Sequence, residues 1–381
     1  MWIIDWIYSP KFRLYQQAGK IDSMSKGVHV YVAISGGVDS AVAAALLLDE
    51  GYRVTGIHME TWKDPKSQSE SDGIPESVAL AKAVAGSLGI PFINLDVRDR
   101  FYKDVVRNFI RHYLAGRTPN PCLFCNPQVK WGILQSYALQ ENADYFATGH
   151  YVRLSQLPSG QVQLLRGVDQ KKDQSYVLSM LSQFQLSHSL FPLGKLTKGD
   201  VRKIAQEMEL PVADKQDSQD LCFLGDIDYR DFLERYAPES LGKGEIVNTS
   251  GRVLGEHHGL AFYTIGQRKG IGIAAPEPYF VIDKDHQSNR LVVGFARETG
   301  KQSLKAVHPN WISGKPAEAE KVYDVMIRYR TKPVPALLST VTGEEFRLEF
   351  KETMRGITPG QVAVLYQGDV CLGGGVISES E

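Results

Sequence analysis

The hydrophobic positions of this chain fall first into short, nearly unbroken apolar runs that alternate with longer helical patterns. VHVYVAI (28–34) is such a run, as expected of a strand buried on both faces. AVAAALLLDEG (41–51) follows as a helix closed by Gly51. RVTGIHM (53–59) returns to a strand pattern, ESVALAKAVAGSLG (76–89) to a helix and PFINLDV (91–97) to a strand. A long helix near 98–115 and a fourth strand at DYFATGH (144–150) complete the series. This βαβα rhythm predicts an α/β fold with a doubly wound parallel sheet. Ligands in such sheets sit beyond the carboxyl ends of the strands. Those ends are SGGVDS, HMET, DVRD and TGHY, and they are expected to face one crevice.

Residues 164–214 read as mainly helical, with candidates at Ser175–Ser182 and Lys198–Leu210. After about 216 the chain becomes rich in glycine and in short apolar runs, which suggests small β units. From about 300, VYDVMIRYR, ALLSTVTG, EFRLEF and QVAVLYQGDVCLGGGVI read as strands with tight turns, and a small antiparallel barrel fits. The expected segments are an N-terminal extension (1–26), a nucleotide-binding catalytic domain (27–215), a central β-rich domain (216–298) and a C-terminal β-barrel (299–381). Met24 is a candidate biological start.

Composition narrows the picture. With 381 residues, 43% hydrophobic and 23% charged, the chain has length for two or three domains and a soluble globular make-up. No run of 18 apolar residues occurs, and MWIIDWIYSP lacks the basic flank and cleavage site of a signal peptide, so no membrane partner and a cytoplasmic location are expected. A net charge of -1 gives no whole-body attraction to nucleic acid. RNA contact must come from local clusters: Lys171-Lys172, Lys198 to Lys203, Arg268-Lys269 and Arg328 to Lys332. Each alone reads as a solvated face, but Arg328-Tyr329-Arg330 interleaves charge with a stacking surface.

Ser35-Gly36-Gly37-Val38-Asp39-Ser40 follows a strand and opens a helix, where backbone N–H groups and the helix dipole hold anions. Gly36 and Gly37 permit close approach and positive φ, Ser35 and Ser40 offer hydroxyls, and Asp39 offers a carboxylate for Mg2+, a ribose or a helix cap. The motif is not a Walker loop. Met59, at a strand end, can rest against an adenine, and Gly149-His150 has the same placement.

Four cysteines argue for chemistry, metal or packing rather than a disulfide scaffold. In TPNPCLFCNPQVKWG, Asn126-Pro127 reads as a helix start, so the Cys125 thiol is expected to be acidified by the dipole. Cys222 lies in the acidic DKQDSQDLCFLGD, where Asp217 and Asp220 are expected to be solvated or metal-linked and to raise its pKa. Cys371 reads as a core residue. A zinc knuckle on Cys122 and Cys125 lacks a second ligand pair, a redox pair fits Leu-Phe poorly, and sulfur transfer through a persulfide is the third reading.

Taken together, SGGVDS, TPNP--FCN-x-x-x-K, ATGHY, KDQSY-L, DSQD-CF, G-H-G---YTIGQRKG, IRYR and TPGQ-AV-Y, spread over 28–377, resemble the tRNA-specific 2-thiouridylases of the pyrophosphate-loop ATPase superfamily. The resemblance implies an adenine nucleotide hydrolase-like sheet, adenylation of the wobble uridine C2 oxygen by ATP with Mg2+, and replacement of that oxygen by sulfur. It implies Cys125 as nucleophile and Cys222 as persulfide carrier, joined transiently as a disulfide. It places ATP on Ala33, Ile34, Ser35, Gly36, Gly37, Val38, Asp39, Ser40, Met59 and Gly149. It places tRNA on Asn120, Pro121, Cys122, His150, Lys172, Asp173, Gln174, Arg328, Tyr329 and Gln361. A sulfur-donor protein, such as a cysteine desulfurase or a sulfur relay protein, is the further partner implied. Many members carry Asp where this chain has Cys122, so Cys122, Cys125 and Cys222 form a trio that could instead hold an iron–sulfur cluster. The alternatives are another pyrophosphate-loop ligase or amidotransferase acting on a small molecule without RNA, or an RNA-binding metal protein.

Overall fold

A computed structural model describes residues 27–64, 74–217, 221–225 and 227–380. The N-terminal extension, with Met24, and Asp220 of the DSQD motif lie outside the described residues.

The apolar runs become strands β1 (His29–Ala33), β2 (Arg53–Glu60), β3 (Phe92–Asp96) and β4 (Tyr145–Ala147), followed by a hairpin of β5 (Val152–Gln156) and β6 (Val162–Arg166) and by the short β7 (Ser189–Leu190). Five of them form a wholly parallel sheet in the order β3-β2-β1-β4-β7. The order reverses between β1 and β4, which opens a crevice beyond their carboxyl ends. Helix α1 (Val38–Asp49) packs through fully buried Ala41, Ala43 and Ala44, small side chains that let it lie close to the sheet. Helix α2 (Glu76–Leu88) ends at Gly89, which takes the left-handed conformation.

The long helix α3 runs through Arg98–Phe101, a π-wound turn Tyr102–Val106 and Arg107–Leu114. Helix α4 runs through Cys122–Cys125, a π-wound stretch Asn126–Gln135 and Ser136–Gln140. Pro127 sits inside α4, where it cannot donate a backbone hydrogen bond, and the wider winding follows from that gap. The expected helix start at Asn126 is therefore corrected: the helix opens at Cys122, and the Asn126 amide is buried and donates to the Val177 carbonyl at 2.8 Å.

The expectation of mainly helix over 164–214 is also corrected. The end of β6 (164–166) occupies its start, and the helices are shorter: α5 (Ser175–Leu178), α6 (Gln183–Ser187) and α7 (Lys198–Glu207). After 216 an unexpected helix, α8 (Tyr229–Tyr236), precedes the central sheet of β8 (Gly244–Asn248), β9 (Val253–His257), β10 (Phe280–Asp285) and β11 (Arg290–Gly294).

The C-terminal barrel comprises β12 (Gly300–Trp311), β13 (Lys321–Met326), β14 (Val334–Val341), β15 (Glu345–Arg355), β16 (Val362–Gln367) and β17 (Val370–Ser380). Its order is β12-β15-β14-β13-β16-β17, and β12 pairs with β17 to close it. Two features were not legible in the sequence. The IRYR segment is not strand, because β13 stops at Met326. The β5–β6 hairpin of the first domain extends the barrel sheet, with Leu164 opposite Cys371 on β17. Cys371 is core, as expected, and burial pushes its thiol up to about 12. Among the described residues no helix is long and apolar enough to cross a membrane.

Candidate functional site

A cavity of about 550 Å3 opens beyond β1, β2 and β4. Three of the four expected strand ends line it. The fourth, DVRD, does not: Arg98 there turns to Asp96 and Glu60 at the surface.

The Ser35–Ser40 loop forms one wall. Ser40 Oγ donates to the Gly37 carbonyl at 3.0 Å and accepts from the Ser35 N–H at 3.1 Å, so the loop closes on itself. Buried His58, with Nδ1 2.7 Å from the Ile34 carbonyl, fixes its base, and burial depresses that imidazole's pKa. The two glycines differ. Gly36 has φ 75°, and a β-carbon there would meet the Ser77 carbonyl at 2.9 Å. Gly37 has φ -110°, and a β-carbon there would make only an ordinary contact, 3.5 Å from Ser35 Oγ, which corrects the expectation of positive φ at both. Gly36→Ala is therefore expected to destabilise by about 1–3 kcal/mol and Gly37→Ala by less than about 0.5 kcal/mol, measured by urea unfolding. Gly149 lies against this wall, where a β-carbon would stand 2.7 Å from the Asp39 carbonyl carbon and 2.9 Å from the Ser40 nitrogen. Met59 also lines the cavity.

Cys122, Cys125 and Cys222 line the same cavity. Asn120 Oδ1 accepts from the Cys122 N–H at 3.1 Å and so caps the start of α4. Cys122 is exposed and Cys125 buried one turn further in. The Cys222 turn is anchored by the next residue, Phe223, whose ring meets Phe101, Phe109 and Phe232 at centroid distances of 6.1, 5.2 and 5.6 Å. The expected acidification of Cys125 is corrected. The helix begins earlier than the sequence suggested, and burial pushes the Cys125 thiol well up. Cys222 is exposed, yet desolvation by the surrounding cavity walls, reinforced by Cys122, pushes its thiol up to about 11. One cation opposes these shifts at all three thiols: Lys130. It lies five residues beyond Cys125, and the i→i+5 winding of the π-helix returns it to the same side of α4. The thiol-loop motif ends on this lysine, but no α-helical face joins it to Cys125, so its place beside the thiols is not legible in the sequence. Among the described residues no group of three His, Cys, Asp or Glu side chains is gathered closely enough to hold a metal ion, the three thiols included.

A charge hub sits opposite. Lys198 Nζ lies 2.7 Å from Asp39 Oδ1 and 2.8 Å from Asp217 Oδ1, while Lys172 and Arg202 reach Asp217 at 2.6 and 2.7 Å. Tyr151 OH donates to Asp39 Oδ1 at 2.6 Å. Lys198 is thus not a solvated face, and Asp217 is paired with cations rather than metal-linked. Burial raises the Asp217 pKa, but hydrogen bonds from Lys172 and Lys198 outweigh it and hold the group at about 2. A depressed carboxylate contributes stability above its ordinary value of 3.8 and loses it as pH falls towards about 2. Urea midpoints are expected to drop through that window in the wild type, with this component missing from Asp217→Asn.

The residues expected at tRNA divide. Pro121, Cys122, His150, Lys172, Gln174 and Tyr329 line the cavity, together with Arg330 of the basic Arg328–Lys332 cluster, which the resemblance did not include among the tRNA residues. His150 is buried, which pushes its pKa well down, and its Nδ1 lies 2.7 Å from Thr148 Oγ1. Asp173 caps α5, accepting from the Ser175 N–H and hydroxyl at 3.1 and 2.8 Å. The half-buried Arg328 guanidinium donates to the Ile265 carbonyl at 2.7 Å and to Thr358. Gln361 donates to the Thr118 carbonyl at 2.6 Å, and Thr118 N–H donates to the Pro359 carbonyl at 3.0 Å. Arg328 and Gln361 therefore hold domains together around the thiol loop, outside the cavity.

Comparison with known proteins adds to this geometry. Residues 28–226 match a family model described as the tRNA methyl transferase HUP domain, 230–295 a tRNA methyl transferase PRC-barrel domain, and 301–377 an aminomethyltransferase beta-barrel domain. The tRNA-specific 2-thiouridylase MnmA of Carboxydothermus hydrogenoformans is 45% identical over 358 residues, 92% of this chain and 97% of that protein. The corresponding protein of Natranaerobius thermophilus is 43% identical over 356 residues, 91% of this chain and 96% of its own. Among solved structures, the U34-tRNA thiolase NcsA from Methanococcus maripaludis, with its [4Fe-4S] cluster, is 22% identical, with a TM-score of 0.34, covering 62% of this chain and 74% of that one. That likeness is too loose to bear on the chemistry.

Proposed function

The chain belongs to the tRNA-specific 2-thiouridylase family, and from that premise we propose how its cavity carries out the transfer. The protein is an ATP-dependent tRNA sulfurtransferase, and its substrate is tRNA. ATP lays its phosphates on the Ser35–Ser40 loop and its adenine near Met59. Mg2+ enters with the triphosphate, and Asp39 is the carboxylate on hand for it. The wobble uridine leaves its stack and enters beside Tyr329 and neutral His150, whose Nε2 is left for the base. The C2 oxygen attacks the α-phosphorus, pyrophosphate departs, and C2 now carries an AMP leaving group.

The terminal sulfur of a Cys222 persulfide then attacks C2, and AMP leaves with the oxygen. The Cys125 thiolate attacks Cys222 Sγ, the sulfur–sulfur bond to the base breaks, and 2-thiouridine is released with a Cys125–Cys222 disulfide left behind. Lys130 supports the thiolates that this sequence needs, against the burial that disfavours them. A sulfur-donor protein, a cysteine desulfurase or relay protein, recharges Cys222 from its exposed side. Four free thiols suit a reducing compartment such as the cytoplasm. The thiols do not fit a cluster in this arrangement, and no step is routed through one.

The observation that carries this reading is that the nucleotide loop, Cys125 and Cys222 line a single cavity. The test is to supply persulfide-loaded protein with ATP and tRNA. One AMP and one pyrophosphate are expected for each 2-thiouridine formed. Release of ADP instead, or AMP without thiolated tRNA, would end the proposal.

A further inference from the structure

The cavity holds one thiol more than transfer requires. Cys122 starts α4, Cys125 closes the same helical turn, and Cys222 lines the same cavity. Ideal helix geometry sets the Cα atoms of residues three apart at about 5 Å, inside the range a disulfide spans. The two differ in access: Cys122 is exposed and Cys125 is buried. A Cys125–Cys222 disulfide would tie up exposed Cys222, the thiol that has to be recharged, with its other sulfur on buried Cys125.

We propose that Cys122 is a second resolving thiol, which moves the disulfide from Cys125–Cys222 to Cys122–Cys125. This rests on the reading above. The Cys122 thiolate attacks Cys125 Sγ. A Cys122–Cys125 bond forms, the Cys125–Cys222 bond breaks, and its electron pair leaves on Cys222. The proton that Cys122 gave up is taken by Cys222, so the exchange is redox-neutral. Cys222 is thereby free to be recharged with sulfur before any reductant has acted. A dithiol reductant then attacks at exposed Cys122, becomes a disulfide itself and restores both thiols. Exchange in this direction is favoured by proximity within one turn of backbone.

The test is a single turnover of persulfide-loaded protein with ATP and tRNA, without reductant, followed by acid quench, alkylation and tryptic mapping. Cys122 and Cys125 share the peptide 118–130, and Cys222 lies on 216–230. The proposal expects an unalkylated 118–130 peptide two hydrogens lighter and an alkylated Cys222 peptide. Cys122→Ala and Cys122→Asp are expected to trap the Cys125–Cys222 cross-link and, with a dithiol present, to lower the steady-state rate about tenfold more than the first turnover. A wild-type cross-link between 118–130 and 216–230, or equal losses in both kinetic phases, would overturn the relay and leave the transfer mechanism intact. Thiolated tRNA with every cysteine alkylated would overturn both.

Discussion

Cys125→Ser and Cys222→Ser are each expected to reduce 2-thiouridine formation by at least about a thousandfold. The two losses should look different. Serine cannot carry a sulfane sulfur, so Cys222→Ser has nothing to deliver, and the adenylated uridine falls to water with AMP released. Cys125→Ser still delivers sulfur but cannot cut the base free. Its tRNA is expected to stay tied to Cys222 through a sulfur–sulfur bond, seen as a tRNA–protein band that vanishes on reduction. Phe223 keeps the Cys222 turn in its aromatic seat in both variants, so unfolding midpoints are expected to move by less than about 1 kcal/mol. Wild-type thiolation by either variant would remove the persulfide route altogether.

Gly149→Ala is expected to cost the enzyme most of its ATP-dependent activity with no loss of a functional group. The added carbon would stand 2.7 Å from the Asp39 carbonyl carbon and 2.8 Å from its oxygen. Both belong to backbone at the start of α1, and backbone cannot rotate out of the way. The helix end proposed to receive the phosphates has to move, and a displacement of about 1 Å at such a site costs on the order of a hundredfold in rate. The strain is also expected to lower stability by about 1–3 kcal/mol. Gly86→Ala is the control, since its β-carbon meets nothing within 4 Å and it lies inside α2. That change should stabilise by up to about 1 kcal/mol. Equal kcat/KM for ATP in the two variants would sink the assignment of this wall to the nucleotide.

How much was legible depended on whether a feature is local. The strands β1, β2 and β3 are continuous apolar runs, and the alternation with α1 and α2 carries its own topology. The loop after β1 and the thiol pair announce themselves by residue type and spacing. What failed was set at long range or by departures from regular geometry. Lys198 looks like a surface lysine because its partners, Asp39 and Asp217, are brought to it by the fold. Lys130 was hidden by the π-winding around Pro127, which shifts every facing residue out of the usual helical periodicity. The acidity expected for Cys125 failed because a dipole argument located the helix end four residues late and ignored burial, the larger effect. The β5–β6 hairpin went unread because its pairing partner, β17, lies about two hundred positions downstream, by subtraction of Leu164 from Cys371.

The two hydrogen bonds between Thr118 and the Pro359–Gln361 turn give the barrel a grip on the segment leading into α4. Any shift of that turn is therefore handed on through the backbone of Thr118 to the helix that bears Cys122 and Cys125, so the posture of a distant barrel loop and that of the thiols are mechanically linked.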